Sequence, residues 1–402
     1  HAGQWDNADT MNQILALRHE AAKLVGFDSY ADYSLATKMA ESCGQVIDFL
    51  RDLAAHSRPA AEAELAELRE FAGMTVEPWD LTFLLEKLKQ QKHSISNEVL
   101  RQYFPAATVM SGLFELASRL YGVSFSQDPG VVTWHEDARY YHVHNADGEE
   151  VGGFYADLFA RSGNRTGAWV DDCVNRKNLD GAMTQPVGFL VCNFSPPDEG
   201  GRSLLTHTDV VTVFHEFGHM LHHLLTRIDY PSIAGINGVP WDAVELPSQF
   251  MENFAWSYEV LERCSANADT GEPLPRDLFE RLEESRHTGA ALAMMRQIEL
   301  ALFDMRLHAE YDPAAPEDVL SVLDQVRDEV SLVRHPAYNR LPQAFSHIFA
   351  GGYGAGYYSY KWAEVLAADA FAAFEENGIF DAGIAARFRR EILEIGGSRD
   401  FM

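Results

Sequence analysis

The sequence feature that most constrains the fold is a pair of histidines four residues apart, His215 and His219, in the run 213–225, which is predicted to be a helix. An α-helix places residues i and i+4 on one face, so the two imidazoles can bind a single metal ion. Glu216 lies beside them and is the candidate general base. Because the chain holds 16 histidines, this H-E-x-x-H pattern arises by chance often enough that other residues must support it.

Apolar residues recur at helical spacing over most of the chain. The first third is predicted to be almost wholly helical, and Pro59 divides one long pattern into two helices or a kinked one. Helical patterns return after the histidine pair. The predicted helices cover residues 7–26, 45–72, 79–92, 97–103, 109–121, 245–258, 275–284, 288–310, 316–332, 357–376 and 382–394.

Between these helical parts, apolar residues recur at every second position, as they do in a β-strand. Residues 139–144 and 151–157 are predicted to form a hairpin, and residues 186–193 a third strand. The predicted fold is therefore mainly α, with a small, antiparallel-rich β-sheet beside the H-E-x-x-H helix. An exposed sheet edge next to a metal can hold an extended peptide by main-chain hydrogen bonds. A sheet that only packs against the helices is the alternative.

A third metal ligand is expected, because a catalytic zinc usually has three protein ligands and one open position. The helical pattern is interrupted at residues 234–240. A new helix is predicted after them, and Glu245 at its start is the candidate ligand. Glu252 lies two turns further along the same face, where it can hydrogen-bond a ligand imidazole. An ordinary structural carboxylate is the alternative for Glu252. The adjacent His222 and His223 are predicted to be structural, because zinc already has its ligands.

Residues 347–360, here called the tyrosine loop, form a second unusual segment, in which four glycines alternate with aromatic residues. The oxyanion that develops during hydrolysis needs a donor besides the metal. Tyr353, Tyr357, Tyr360 and His347 are the candidate donors. Aromatic rings that only pack against the start of a helix are the alternative.

The charge balance excludes several classes of partner. Asp+Glu 60 against Lys+Arg 32 gives a net charge of -28, which repels nucleic acids and anionic lipid surfaces. No apolar run approaches the ~18 residues of a membrane span, and residues 1–5 lack a signal-peptide pattern. The four cysteines lack C-x-x-C spacing, which is typical of a reducing compartment. We expect a monomer in the cytoplasm or an organelle matrix or stroma, not a secreted protein.

Several segments together resemble the thimet oligopeptidase family of zinc metallopeptidases. The likeness runs from about Trp5 to Ser398, and two of the segments match the bacterial and organellar branch of that family more closely. The segments that carry the family resemblance are 215–219, 244–249, 251–253 and 347–360, and the closer match lies in 238–252 and 345–353.

The resemblance implies a helical zincin-type metallopeptidase that cleaves short peptides and binds one Zn²⁺ per chain. It implies that His215, His219 and Glu245 are the zinc ligands and that Glu216 is the general base. The implied reaction is hydrolysis of internal peptide bonds by a zinc-activated water.

The resemblance also assigns roles within the tyrosine loop. Tyr353 and Tyr360 match family tyrosines that contact the substrate carbonyl and the transition state. His347 matches a family histidine on the same loop, and Tyr357 is a weaker candidate for substrate binding.

Family members have a further N-terminal helical portion, so the sequence is expected to be the catalytic portion of a longer protein. Residues 1–130 are then a helical wall, residues 131–260 the sheet with the zinc-binding helices, and residues 261–402 a helical part with the tyrosine loop. The main alternative is a non-catalytic peptide-binding fragment whose site is incompletely assembled. A zinc hydrolase with a non-peptide substrate is a third possibility.

Overall fold

The computed structural model describes residues 6–399 and is mainly helical. Helices hold 53% of the residues, which confirms the predicted fold class. Short 3₁₀ segments occur at Arg101–Tyr103 and Pro231–Ile233, and a π-helical turn at Arg389–Leu393. The α-helices are α1 (Ala8–Leu24), α2 (Tyr30–Leu35), α3 (Cys43–Ala72), α4 (Leu81–His93), α5 (Asn97–Leu100), α6 (Ala106–Tyr121), α7 (His207–Leu224), α8 (Trp241–Val244), α9 (Leu246–Phe254), α10 (Tyr258–Leu261), α11 (Arg276–Ser285), α12 (Ala290–Ala309), α13 (Val319–Val330), α14 (Leu341–Ala344), α15 (Ser346–Phe349), α16 (Ser359–Asn377) and α17 (Ala382–Phe388).

Helix α3 runs unbroken through Pro59 for 30 residues, so it is one helix and not two. A proline inside a helix costs about 3 kcal/mol relative to alanine. The apolar side of α3 is buried on both sides of the proline, with Val46 and Leu50 before it and Ala61 and Leu65 after it. Burial of this long stripe outweighs the local cost, so of the two predicted alternatives the two separate helices are excluded and a single helix remains.

The sheet has five strands in the order β1-β2-β3-β7-β4, and β5 and β6 form a separate two-stranded ribbon. The predicted hairpin and third strand are confirmed as β2, β3 and β7. Strands β1, β4, β5 and β6 were not predicted, because they show little apolar alternation and three of them have only three or four residues. The strands are β1 (Ser124–Gln127), β2 (Arg139–His144), β3 (Glu150–Phe159), β4 (Trp169–Val174), β5 (Lys177–Leu179), β6 (Ala182–Thr184) and β7 (Val187–Phe194).

Three of the four pairings in the larger sheet are antiparallel, namely β1 with β2, β2 with β3, and β4 with β7. Strand β3 pairs with β7 in parallel. The sheet is therefore mixed but rich in antiparallel pairs, and β4 occupies one of its edges.

The described residues form two compact units, each with its own apolar core. The first unit holds the described residues up to Ser94 together with Glu284–Trp362, and α3, α12 and α13 build its core. The second unit holds Ile95–Glu283 and the described residues from Ala363 onward, and its core lies between the sheet and α6, α7 and α9. The three-part division of residues 1–402 drawn from the sequence stays a prediction, and its two ends lie outside the described residues.

Helix α7 packs closely on β7 in the second unit. A Cβ atom on Gly188 of β7 would lie 2.8 Å from the end of the Met220 side chain, so a larger residue there would require that side chain to move. His223 is 1% exposed, and its Nε2 lies 3.1 Å from the carbonyl of Val187 and 3.2 Å from that of Val174. One histidine thus ties the helix to both β7 and β4, which agrees with its predicted structural role.

Two further features concern membrane-spanning helices and the state of the cysteines. Among residues 6–399, no helix combines the length and apolar character needed to cross a bilayer. All four cysteines are free thiols, and burial raises the pKa of Cys264 to about 12.

Candidate metal centre

The start of α7 is set by a reciprocal cap. The Thr206 hydroxyl accepts a hydrogen bond from the Asp209 amide, and the Asp209 carboxylate accepts one from the Thr206 amide. Such a capping box satisfies two of the free amides at a helix start and fixes the frame of the helix. His215 and His219 then lie on one face of α7, with their ring centroids 5.0 Å apart.

The chain reverses after α7 and returns through α8 into α9, which packs against α7 at Gly218. A Cβ atom on Gly218 would lie 2.3 Å from the carbonyl oxygen of Pro247 and 2.6 Å from the Cα of Ser248. The missing side chain therefore lets the two backbones touch. This close approach brings Glu245, the residue that precedes α9, to the two histidines.

The nitrogen and oxygen atoms of this cluster have the spacing of a tetrahedral metal site. Glu245 Oε2 lies 3.2 Å from His215 Nε2 and 3.1 Å from His219 Nε2. Ligands about 2.0–2.2 Å from zinc at tetrahedral angles lie about 3.3 Å from one another. His215, His219 and Glu245 are also the metal-ligating group found among residues 6–399. The three side chains are therefore placed where they could hold a zinc ion.

Glu252 lies next to the cluster on α9. Its Oε1 is 2.6 Å from His215 Nδ1, so the imidazole donates to the carboxylate from the nitrogen that faces away from Glu245. A carboxylate in this place holds the ring so that Nε2 presents its lone pair toward the metal position.

Electrostatics in the cluster favour a cation. Burial by itself lowers the pKa of His215, but the carboxylates of Glu245 and Glu252 raise that pKa well above its ordinary value. Burial by itself raises the pKa of Glu245, but His219 and His215 hold it well below its ordinary value. Negative charge is thus concentrated where the two imidazoles converge, which is what a divalent metal ion requires.

Glu216 is 5% exposed, and its Oε2 has no hydrogen-bond partner among the described residues. Burial raises the pKa of its carboxyl group, although the nearby His215 and His219 oppose the shift. A buried carboxylate with a free oxygen and a raised pKa is suited to accept a proton from a small polar molecule.

Two contributors to this site were missed from the sequence. Ser248 donates from its hydroxyl to Glu245 Oε2 at 2.9 Å, and it lies one helical turn after Glu245, a spacing that could have indicated the contact. Gly218 lies inside the H-E-x-x-H pattern, where only the packing of another helix reveals its role. His222 is completely buried, and burial lowers its pKa to about 3, in line with its predicted structural role.

The tyrosine-loop residues belong to the first unit and contact one another. The rings of Tyr353 and Tyr360 stack at a centroid distance of 5.3 Å, and His347 lies 5.9 Å from Tyr353. Tyr357 is buried and its hydroxyl lies 3.1 Å from Gln297 Oε1, which accepts its hydrogen bond. Burial raises the pKa of Tyr357 to about 12. The roles of these four residues in catalysis and substrate binding stay predictions.

Comparison with known proteins extends over the whole chain. The sequence profile described as Peptidase family M3 matches residues 1–402. The chain is 50% identical to oligopeptidase A of Escherichia coli (strain K12) over 408 residues, which cover 100% of the chain and 60% of that protein. It is 40% identical to the organellar oligopeptidase A, chloroplastic/mitochondrial, of Arabidopsis thaliana, with coverage of 99% and 52%.

Among solved structures, the fold is similar to PZ peptidase A with inhibitor 2. The TM-score is 0.63 at 16% sequence identity, and the match covers 98% of this chain and 60% of that one. The chain therefore spans little more than half of the length of the relatives that it matches.

Proposed function

Because the chain belongs to peptidase family M3, we propose that it is a zinc-dependent endopeptidase that hydrolyses internal bonds of short oligopeptides. The relatives that it matches carry the name oligopeptidase A. The ligand spacing, the buried free oxygen of Glu216 and the family membership together support this function.

In this proposal His215, His219 and Glu245 hold one zinc ion per chain. A bound zinc ion lowers the pKa of a coordinated water toward about 7 and polarises a carbonyl group. Glu252 orients the His215 ring, and Ser248 orients the carboxylate of Glu245.

Glu216 is the proposed general base. Its free Oε2 accepts a proton from the attacking water, and the same carboxylic acid then donates that proton to the leaving amine. Burial favours this exchange because it brings the pKa of the carboxyl group closer to neutral pH.

Main-chain binding of the substrate is proposed to use an edge of the sheet. Strand β4 is an edge strand, and a peptide that adds to such an edge gains main-chain hydrogen bonds. Tyr353 and Tyr360 are the proposed hydroxyl donors to the substrate carbonyl and the transition state, with His347 as a further donor and Tyr357 as a weaker substrate contact.

The observation that carries the proposal is the 3.1–3.2 Å spacing of the two imidazole nitrogens around Glu245 Oε2. The test is hydrolysis of an internally quenched peptide by the purified chain, with and without a chelator. We expect chelator-sensitive cleavage that zinc restores. Glu216→Gln should lower kcat by about 100- to 10,000-fold, because it removes the general base, and should leave the bound zinc in place.

Zinc retention by the Glu216 variant serves as the control for intact folding and metal binding. Peptide binding without chelator-sensitive cleavage would favour the alternative, a non-catalytic peptide-binding fragment. Loss of zinc together with loss of activity in Glu216→Gln would contradict the assignment of Glu216 as base rather than ligand.

The cellular compartment and the oligomeric state of the protein are also proposed. Relatives are named as organellar and as probable cytosolic oligopeptidases, so we propose that this protein acts in the cytoplasm or in an organelle matrix or stroma. We also propose that it acts as a monomer with short peptides as its partners.

A further inference from the structure

Asp304 of α12 is a buried carboxylate that the proposed reaction does not use. It is 0% exposed, and it accepts three hydrogen bonds from consecutive backbone amides of the tyrosine loop. The Ala355 amide donates to Oδ1 at 2.9 Å, and the Gly356 and Tyr357 amides donate to Oδ2 at 2.8 Å each. One side chain therefore binds the backbone of the segment that carries the candidate tyrosines.

The backbone at this point has an unusual conformation. Ala355 is fully buried and has φ +51°, a left-handed conformation that residues other than glycine rarely adopt. Where residues in the left-handed conformation alternate with residues in the right-handed one, successive backbone amides point toward one position and form a concave binding site for an anion. Asp304 supplies that anion from within the chain, and such a conformation persists only where its surroundings hold it.

A second set of hydrogen bonds connects Asp304 to the other end of the loop. Arg18 Nη1 lies 2.8 Å from His308 Nε2, and because arginine only donates, that nitrogen accepts and Nδ1 carries the proton. His308 Nδ1 then donates to the backbone carbonyl of Asp304 at 2.8 Å and lies 3.0 Å from Asp304 Oδ1. The same Arg18 Nη1 donates to the carbonyl of Ile348 at 2.7 Å. The loop is thus held near its start by Arg18 and near its end by Asp304.

The two attachment points lie on either side of Tyr353 and close in sequence to His347 and Tyr360. Tyr353 lies between them, and Tyr360, on which its ring stacks, follows three residues after the last bonded amide. Tyr357 is held twice by α12, through its amide on Asp304 and its hydroxyl on Gln297. The position of the loop backbone on α12 consequently sets where the tyrosine rings lie.

We propose that Asp304 is a positioning residue that holds the tyrosine loop in the conformation required for peptide hydrolysis. This inference rests on the proposed function, because it assumes that Tyr353 and Tyr360 act on the substrate. Asparagine at this position has one acceptor oxygen instead of two and directs an amino group at the loop amides. At least one of the three amides then loses its partner, and the loop leaves its position.

The test compares Asp304→Asn with a matched control on the same helix, Glu299→Gln. Glu299 is also buried, but it bonds Arg327 and Ser331 and makes none of the hydrogen bonds described for the tyrosine loop. Two quantities are measured on the zinc-loaded chain: hydrogen exchange of the loop amides and the kinetics of peptide hydrolysis.

For Asp304→Asn we expect exchange at residues 355–357 to accelerate at least about tenfold, as the loss of one hydrogen bond implies. We expect kcat to fall about 10- to 100-fold with unchanged zinc content, since a misplacement of 1 Å has an effect of that size. Glu299→Gln should leave loop exchange and kcat unchanged, although it lowers thermal stability.

Unchanged loop exchange in Asp304→Asn overturns the proposal, as does an equal fall of kcat in Glu299→Gln. Faster exchange with unchanged kcat overturns the positioning role while the proposed peptidase function stands. If the unaltered chain cleaves no peptide, the proposed function fails and the positioning role with it, and exchange still decides whether Asp304 anchors the loop. If Asp304→Asn does not fold, Arg18→Met tests the other attachment point, and unchanged exchange and kcat in that variant overturn the proposal.

Discussion

The contact between α7 and α9 at Gly218 allows a quantitative prediction about the metal site. In Gly218→Ala the new Cβ would start 2.3 Å from the carbonyl oxygen of Pro247, whereas real Cβ atoms essentially never approach a neighbour closer than 3.0 Å. The obstacle is backbone on both sides, so no side-chain rotation relieves it. Helix α9 must therefore move by about 0.7 Å, the difference between these two distances.

This displacement is large on the scale of metal coordination. Ligand distances in functional sites hold to about ±0.2 Å, and Glu245 precedes α9 and moves with it. We expect Gly218→Ala to weaken zinc binding at least about 100-fold, the upper end of the effect of losing an outer-shell partner. Overpacking should also lower the free energy of unfolding of the metal-free protein by about 1–3 kcal/mol.

The assay is zinc affinity by chelator competition, together with chemical unfolding of the metal-free chain. Gly112→Ala is the matched control, because its Cβ would lie 2.6 Å from the Cα of Cys264 in the same unit but not beside the metal ligands. It should lose similar stability and keep its zinc affinity. Wild-type zinc affinity in Gly218→Ala, or equal losses in both variants, would refute the reasoning.

Two further predictions concern single carboxylates and a histidine. Glu245→Ala should lose zinc on dialysis, whereas Glu252→Ala should weaken zinc binding only about 10- to 100-fold, because Glu252 contacts a ligand rather than the metal. Equal retention of zinc by both variants would refute the assignment of Glu245 as the third metal ligand. His142 donates hydrogen bonds to the carboxylates of Glu150 and Asp128, which raise the pKa of His142. These bonds stabilise the fold below about pH 6.5, the pKa of an unfolded histidine, and this contribution is lost as pH rises through the raised pKa. The stability difference between the wild type and His142→Gln, measured by urea unfolding, should therefore shrink as pH rises above about 6.5, and a constant difference would contradict this linkage.

The long helices and the central strands could be predicted from the sequence because their signals are local. Apolar residues at spacing 3.6 mark α1, α6, α12 and α13, and alternation marks β2 and β3. The pattern around Pro59 left two alternatives open because proline is a local signal, whereas the burial that keeps α3 continuous comes from distant parts of the chain. Strand β4 was missed for the same reason, since an edge strand with polar residues depends on its partner β7 for its conformation.

Most of the candidate metal centre could also be predicted, because a helix converts sequence spacing into geometry. His215 and His219 meet by helical periodicity alone, and Glu252 follows from Glu245 by the same rule. The approach of Glu245 to the histidines could only be expected from a resemblance or a general preference for three ligands. It depends on Gly218, whose role appears only when the backbone of α9 is present.

The anchor of the tyrosine loop illustrates what local patterns omit. Tyr353 and Tyr360 attract notice in the sequence because aromatic rings among glycines are unusual. Asp304 has no such signal, because an acidic residue in a helix is ordinarily on the surface. Its burial becomes understandable only through the three amides that it binds, and those amides converge only because Ala355 is left-handed. Glycines make such a loop possible, but a charge more than forty residues earlier determines which of its conformations the chain adopts.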